Sequence, residues 1–141
     1  MEAIKKSITI KNAKFWTNAL GVIFCELSNT ENYKILEVDL VKKYEQAIFT
    51  LSEGRSMPFV IDIRDNQGNI SIDAAKLLAN SSILKKIRIS EAFIINSINA
   101  KLLINSYKRI YEPNTPFKIF KDFDEALAYS VNTKKLHDAS N

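Results

Sequence analysis

Apolar positions in the first quarter of the chain follow the pattern of β-strands. Residues 8–18 and 21–27 are rich in β-branched and aromatic side chains, and Asn18–Gly21 supplies turn residues between them. The pattern therefore predicts an antiparallel hairpin. A polar loop over residues 28–32 then leads to a short predicted strand over residues 33–37.

The apolar spacing becomes helical after Asp39. The positions that recur at intervals of three to four residues are Val41, Tyr44, Ile48 and Leu51. Asp39 suits the N-cap of this helix, and Gly54 stands where a glycine would end it. Residues 57–64 are almost continuously apolar, which predicts a strand covered on both faces.

The rest of the chain alternates between strand and helix patterns. Predicted helices begin near Ser71 and Asp122, each of which can cap its helix, and another covers residues 97–111. Further helical turns are predicted over 81–86, and strands over 89–95 and 117–120. The helix over 97–111 is expected to carry one polar face, made of Lys101, Asn105, Lys108 and Glu112.

Alternation of strands and helices from Met57 onward predicts an α/β sandwich. We expect a mixed sheet in which the N-terminal antiparallel hairpin is followed by β-α-β-α units whose helices pack on the sheet. No repeat or linker divides the sequence, so residues 1–141 are predicted to form one domain. Its ordered core should span about 7–130, with a frayed tail over 131–141.

Composition narrows the classes of protein to consider. The net charge is only +4, and lysines are spread among acidic residues, which argues against a nucleic-acid partner. No apolar run is long enough to cross a bilayer, so an integral membrane protein is not expected. A single cysteine, Cys25, cannot form an internal disulfide and favours a cytoplasmic location.

Several kinds of catalytic chemistry lack their usual residues. The one histidine, His137, lies in the predicted tail, so neither a Cys–His nor a Ser–His pair is expected in the core. Three glycines, at positions 21, 54 and 68, cannot form a dinucleotide or phosphate-binding loop. We therefore expect no cofactor, no metal and no enzymatic activity, with Cys25 acting as a small buried hydrophobe.

Two carboxylates remain as candidates for chemistry. Asp62 and Asp65 follow the apolar strand at the sheet edge where α/β proteins commonly place their sites, and such a pair could bind Mg²⁺ or transfer protons. Aspartates at strand ends more often accept hydrogen bonds from the backbone of their own loop. We favour this second, structural interpretation.

The strand over 59–64, the polar loop and the helix led by Ser71 resemble the middle of the STAS (anti-sigma-factor antagonist) domain. The chain from about Ile8 to Tyr129 is similar to bacterial STAS/CRAL-TRIO-like, or SpoIIAA-like, proteins of unassigned function that are common in Bacteroidetes. Segments 21–24, 53–65, 71–80 and 91–129 carry this resemblance. It implies a single SpoIIAA-like domain.

The resemblance also implies a role for Ser71, which falls on the serine that a partner kinase phosphorylates in STAS antagonists. Its neighbours depart from the family pattern: Ile70 replaces an aspartate, Ile72 a small residue and Asp73 a glycine. Because the charge of Asp73 disfavours a nearby phosphate, we favour a helix cap at Ser71 over a phosphoswitch. The candidate phosphosite or partner loop comprises Asp62, Asp65, Asn66, Asn69 and Ser71.

Two functions from different classes follow. The first is a regulatory module that binds a protein partner through the loop around residues 66–72. The second is a carrier of a lipid or other small apolar ligand, with a pocket formed by Phe93, Ile95, Leu102, Leu103, Ile110 and Phe120. We expect these six residues to fill the core instead. A homodimer formed through an uncovered edge of the hairpin is a further hypothesis.

Overall fold

The computed structural model describes residues 4–28, 35–66 and 68–140, except for the side chain of Lys5. The strands are β1 (Ile4–Ile10), β2 (Ala13–Asn18), β3 (Ile23–Leu27), β4 (Ile35–Leu36), β5 (Met57–Asp62), β6 (Asn69–Ile70), β7 (Arg88–Ile94) and β8 (Phe117–Phe120). The helices are α1 (Val38–Ser52), α2 (Ile72–Asn80), α3 (Ser82–Ile87), α4 (Ile98–Ile110) and α5 (Phe123–Ser140).

Six strands form one mixed sheet in the order β1-β2-β3-β5-β7-β8. The first three strands pair antiparallel, and β3, β5, β7 and β8 pair parallel through helical crossovers. The short strands β4 and β6 form a separate parallel pair. The predicted α/β class and mixed sheet are confirmed.

The N-terminal strands differ from the predicted hairpin in one respect. Residues 8–18 form no single strand, because a turn at Lys11 and Asn12 separates β1 from β2. Lys11 has a positive φ of 51°, which directs the chain back on itself. The hairpin between β2 and β3 is confirmed, and β1 extends it to three strands. Self-association through the edge strand β1 stays a prediction.

Part of the next predicted strand lies outside the described residues. Of the strand predicted over 33–37, residues 33 and 34 are outside the described residues, and Ile35 and Leu36 form β4. The structure places β4 beside β6 rather than in the main sheet.

Helices cover both faces of the sheet. One face carries Phe15 and Phe59, which share a core with α1 and with Leu84 of α3, and this core continues to Phe93 beneath α4. The other face carries Phe24, which stacks on Phe123 of α5 at a centroid distance of 5.7 Å. The buried strand β5 lies between these layers, as its continuous apolar run predicts.

Most predicted helix ends are confirmed. Gly54 has a φ of 79° directly after the C-cap of α1, and the carboxylate of Asp122 accepts a hydrogen bond from Glu125 N at 3.0 Å. The predicted N-cap at Asp39 is wrong, because α1 begins at Val38 and its N-cap is Glu37. Asp39 instead lies in the first turn, where its charge still favours the helix.

The C-terminal segment is helical where the sequence predicts fraying. Helix α5 continues to Ser140, and Val131 packs against the core on its face of the sheet. Thr133 Oγ1 lies 2.7 Å from Ser90 Oγ of β7. The predicted frayed tail over 131–141 is therefore corrected: residues 131–140 are helical, with Val131 and Thr133 packed on the sheet, and Asn141 lies outside the described residues.

Across the described ranges, no helix combines the length and the apolar character needed to cross a membrane.

Candidate functional site

The short pair of strands β4 and β6 brings the N-terminal ends of α1 and α2 together. Ile35 pairs with Asn69 and Leu36 with Ile70, and Ser71 N donates a hydrogen bond to Leu36 O at 3.0 Å. Each strand leads directly into a helix, so residues 37–39 and 71–73 form one continuous surface. We call this surface, together with Ile35, the Ser71 surface.

Ser71 is the N-cap of α2. Its Oγ accepts a hydrogen bond from Ala74 N at 3.1 Å, and its backbone is extended, as an N-cap requires. This geometry confirms the predicted cap. The hydroxyl is therefore engaged with the first turn of the helix, which otherwise leaves backbone donors unsatisfied.

Acidic and apolar side chains surround Ser71. An open concavity of about 610 Å³ is lined by Glu37, Val38, Asp39, Ser71, Ile72 and Asp73. Asp39 and Asp73 lie in the first turns of α1 and α2, where a negative charge is favoured by the helix dipole. Ile35 and Ile72 are 55% and 63% exposed, so the surface combines negative charge with accessible isoleucines.

Side chains at the end of β5 and in the loop after it accept hydrogen bonds from nearby backbone N–H groups. Asp62 Oδ1 accepts hydrogen bonds from Arg64 N at 3.1 Å and Arg64 Nε at 3.0 Å, and Asp62 Oδ2 accepts one from Arg64 Nη2 at 2.7 Å. The bond to Asp62 raises the pKa of the Arg64 guanidinium. Asn66 Oδ1 and Asn69 Oδ1 accept backbone hydrogen bonds from Gly68 N and Ile70 N.

These bonds confirm the structural interpretation of Asp62, whose two oxygens bind the backbone and side chain of Arg64. Asp65 is exposed at the surface of the same loop. Within residues 4–28, 35–66 and 68–140, no group of three or more His, Cys, Asp and Glu side chains could hold a metal ion. The candidate loop thus has the hydrogen-bonding pattern of a structural turn.

Replacing Ser71 with alanine is expected to lower the free energy of unfolding by about 1 kcal/mol, because the N-cap bond is lost. Ser71→Asn should retain most of the stability, since asparagine caps a helix equally well. Ser97→Ala is a matched control, because Ser97 caps α4 through the same bond to Ala100 N at 3.1 Å. Urea denaturation of the three variants measures the effect. Unchanged stability of Ser71→Ala would contradict the cap.

Cys25 and His137 lie on opposite sides of the sheet. The Cys25 side chain is buried in the core beneath α1, and this burial raises the pKa of its thiol, with a further contribution from the charge of Glu91. His137 lies in the last turn of α5, which packs on the other face. Cys25 is thus a small core residue, as the sequence predicts.

A cluster of four charged residues lies under α4, at the opposite edge of the parallel strands. We call Arg88, Glu91, Lys108 and Glu112 the charged cluster; each of their side chains is at least 95% buried. Lys108 Nζ donates hydrogen bonds to Glu91 Oε1 at 2.5 Å and to Glu112 Oε2. Thr115 N donates to Glu112 Oε1 at 2.9 Å, so the second carboxylate is well satisfied.

This cluster corrects the predicted polar face of α4. Lys101 and Asn105 are exposed as predicted, but Lys108 and Glu112 are buried. Ala100 and Ile104 pack in the core beneath α4. Lys108 lies on the same side of the helix and meets Glu91 of β7, which as a buried carboxylate requires a cation. Glu91 is the residue from which the burial of Lys108 could be predicted, since a charge inside an apolar strand indicates a buried partner of opposite charge.

The pKa values of Glu91 and Glu112 shift in opposite directions in this cluster. Burial raises the pKa of Glu91, and the nearby charges of Lys108 and Arg88 only partly oppose it. Burial also acts to raise the pKa of Glu112, but the hydrogen bonds from Lys108 and Thr115 outweigh it and lower the pKa. Lys108 therefore stabilises two negative charges that would otherwise be costly to bury.

The six residues of the predicted apolar pocket are not brought together. Phe93 and Ile95 lie in the core beneath α4, whereas Phe120 packs on the other face of the sheet with α5. The remaining three, Leu102, Leu103 and Ile110, lie on the outer side of α4 and are exposed. This set therefore forms no common cavity, because the buried side of α4 is lined by Ala100, Ile104 and Lys108.

The architecture defines the fold. The mixed sheet with helices on both faces is a SpoIIAA-like fold. A crystal structure of an uncharacterized DUF3478-family protein with a SpoIIAA-like fold, from Shewanella loihica PV-4, is similar with a TM-score of 0.56 and 17% identity. The match covers 91% of this chain and 92% of that one.

The chain belongs to a family described as a domain of unknown function, DUF7793, whose model matches residues 15–134. A comparison with curated proteins gives no match.

Proposed function

We propose that this protein is a non-enzymatic regulatory module of the cytoplasm that binds a protein partner through the Ser71 surface. The observation that carries the proposal is the exposed Ile72 in a concavity lined by the carboxylates of Glu37, Asp39 and Asp73. A second exposed isoleucine, Ile35, lies in β4, the strand that leads into Glu37. The resemblance to STAS antagonists implies a partner loop at this same position. Exposed apolar side chains with a polar rim are typical of protein–protein contacts.

The chemistry of the surface indicates what the partner presents. Two isoleucines offer anchors of modest size for an apolar pocket or groove, and the carboxylates around them favour lysine or arginine on the other side. Because these charges lie at the surface, they should mainly increase the association rate and select the partner. We infer a partner with an apolar patch bordered by basic residues.

The same geometry argues against regulation by phosphorylation of Ser71. A phosphate on Oγ would lie in a concavity lined by the carboxylates of Glu37, Asp39 and Asp73, whose repulsion opposes the attraction of a phosphate to the helix N-terminus. We therefore propose that binding depends on the shape and charge of the surface, without a phosphoserine.

A binding role is consistent with the structural contacts of the three candidate catalytic residues. Asp62 pairs with Arg64, Cys25 lies in the core, and Ser71 caps a helix. The alternative, a carrier of a lipid or apolar ligand, has weaker support. Its predicted pocket residues are divided between the two faces of the sheet and the outer side of α4.

The test uses the full chain as bait in its own cells, comparing wild type with Asp73→Lys. We expect a protein that wild type retains and Asp73→Lys loses, and the purified partner should bind the variant at least about tenfold more weakly. Asp124→Lys is the matched control, because Asp124 also lies exposed in the first turn of a helix, on the other face of the sheet. It should bind the partner like wild type.

Other outcomes would contradict the proposal. Equal loss of binding in both charge reversals would mean that net charge matters and the Ser71 surface does not. Native mass spectrometry of protein recovered from its cells adds a second test. A phosphate mapped to Ser71 would favour the antagonist-like switch, and a non-covalent adduct of lipid mass would favour the carrier.

A further inference from the structure

The outer side of α4 carries a row of exposed apolar residues. Ile98, Leu102 and Ile110 are 77%, 59% and 61% exposed, and Leu103 beside them is also exposed. The first three are spaced by four and eight residues, so they lie along one side of the helix, while the opposite side packs on the core. Exposed apolar side chains that form a row, rather than being scattered singly, are typical of a contact surface.

The exposed charges on this helix are all positive. Helix α4 contains no aspartate or glutamate, and its exposed charged residues are Lys101 and Arg109. Arg109 follows Leu102 by about two helical turns, so it lies on the same side, and Lys101 lies on the flank. We call this surface the α4 ridge; it comprises Ile98, Lys101, Leu102, Leu103, Arg109 and Ile110.

The α4 ridge complements the Ser71 surface in shape and charge. The Ser71 surface is an open concavity lined by Glu37, Asp39 and Asp73, with Ile72 exposed among them. The side of a helix is convex, so its apolar row can enter a concavity, and the two cations of the ridge would then face carboxylates. The chemistry inferred for the partner, an apolar patch bordered by basic residues, is therefore present on this chain itself.

Both surfaces belong to the same layer of helices. Ile61 of β5 packs against the core under α1 and also against the core under α4, so these helices cover one face of the sheet. Helix α2 follows β5 in the chain and α4 follows β7, and these neighbouring strands are parallel, so both helices begin at the same edge of the sheet. A two-fold axis can therefore place each α4 ridge on the Ser71 surface of the other copy.

We propose that a second copy of this chain is the partner that binds the Ser71 surface, in a two-fold dimer with each α4 ridge against the Ser71 surface of the other copy. This inference rests on the proposed function of that surface and adds the identity of the partner. Two reciprocal contacts bury twice the area of one, which brings two short surfaces toward the size that a stable dimer needs. Because opposite charges border the contact, added salt should weaken the dimer.

Analytical ultracentrifugation of the purified full chain tests the proposal. We expect wild type to dimerise as its concentration rises through the micromolar range. Asp73→Lys reverses a charge in the Ser71 surface, and Leu102→Glu places a carboxylate in the α4 ridge, so each should weaken the dimer at least about tenfold. Asp124→Lys and Leu136→Glu are the matched controls, because both residues are exposed on α5, on the other face of the sheet, and both variants should dimerise like wild type.

Mixing the two interface variants tests whether these surfaces meet. Asp73→Lys keeps an intact α4 ridge and Leu102→Glu keeps an intact Ser71 surface, so one contact of the mixed dimer is native. In the other contact, the introduced lysine and glutamate have opposite charges. We therefore expect the equimolar mixture to dimerise at least about tenfold more tightly than either variant alone.

A wild-type chain that stays monomeric would overturn the inference, and so would a dimer that Asp73→Lys or Leu102→Glu leaves unchanged. Mixed variants that stay monomeric would show that the two surfaces do not meet. Species larger than dimers would show an open head-to-tail contact and would contradict the two-fold arrangement.

Two further outcomes separate this inference from the proposed function. If the chain is monomeric but Asp73→Lys still loses a captured protein of another mass, the Ser71 surface keeps its proposed function and the second copy is excluded as its partner. If a monomeric chain binds vesicles of phosphatidylcholine and phosphatidylglycerol and Leu102→Glu abolishes that binding, the α4 ridge contacts an anionic membrane, and the dimer is overturned.

Discussion

Replacing Lys108 with methionine is expected to lower the free energy of unfolding by about 3–5 kcal/mol at neutral pH. Lys108 is 98% buried and is the hydrogen-bonding cation for the carboxylates of Glu91 and Glu112. Methionine fills a similar volume but leaves Glu91 as a buried carboxylate without its nearest partner. Urea denaturation measures the loss. Arg109→Met, at the exposed neighbouring position, is the control and should change stability by less than about 0.5 kcal/mol.

The pH dependence of this variant follows from the raised pKa of Glu91. A carboxyl group with a higher pKa in the folded state binds more protons there than in the unfolded chain, so stability falls as pH rises through the folded-state pKa. Removing Lys108 raises that pKa further, because Lys108 lowers it in the wild type. The deficit of Lys108→Met should therefore be smaller at about pH 5 than at about pH 8.

A second substitution separates lost charge pairing from lost packing. Adding Glu91→Gln to Lys108→Met removes the unpaired buried charge, and it should recover at least about half of the lost stability. Glu112 retains the hydrogen bond from Thr115 N in both variants. A deficit that neither acid nor Glu91→Gln reduces would mean that Lys108 acts through packing alone.

Deleting residues 131–141 is expected to lower the free energy of unfolding by about 3 kcal/mol. The deletion removes the packing of Val131 on the core and the hydrogen bond between Thr133 and Ser90. It also removes Lys134, which lies so close to Gly21 that a Cβ there would be 2.6 Å from Lys134 Cε. Thermal or urea unfolding of the truncated chain measures the loss.

Deletion of residues 139–141 is the matched control. Ala139 and Ser140 are exposed at the end of α5, so stability should change by less than about 0.5 kcal/mol. A frayed tail, as the sequence pattern predicts, would make the longer deletion equally harmless. That result would contradict the packed helix.

The exposed residues of α4 show why the sequence alone could not tell whether the predicted pocket residues face one another. Leu102 and Ile110 are apolar, as core residues usually are, but they lie on the exposed side of α4, whereas Lys108 lies on the buried side. An amphipathic pattern gives the angle between residues on a helix; it does not say which side meets the sheet when apolar residues occur around much of the circumference. Only the structure shows that the side of α4 that carries Lys108 faces the sheet, where Lys108 meets Glu91, seventeen residues earlier in the sequence.

The candidate loop was more predictable, because its bonds are local. Ser71 bonds to the backbone three residues ahead and Asp62 to Arg64 two residues ahead. Such contacts depend on residue type and short spacing, which a sequence displays directly. The side chains that share the Ser71 surface come from segments more than thirty residues apart, and only the pairing of β4 with β6 brings them together.

Short-range patterns in the sequence predict the α/β class, the order of most elements and the helix caps at Ser71 and Asp122, because apolar periodicity and capping act over a few residues. These patterns do not predict which charged residues are buried or which apolar residues are left exposed. The inward position of Lys108 and the packing of α5 after Val131 both depend on contacts between distant elements. A buried charge is stable only beside a partner, and that partner is fixed by the fold.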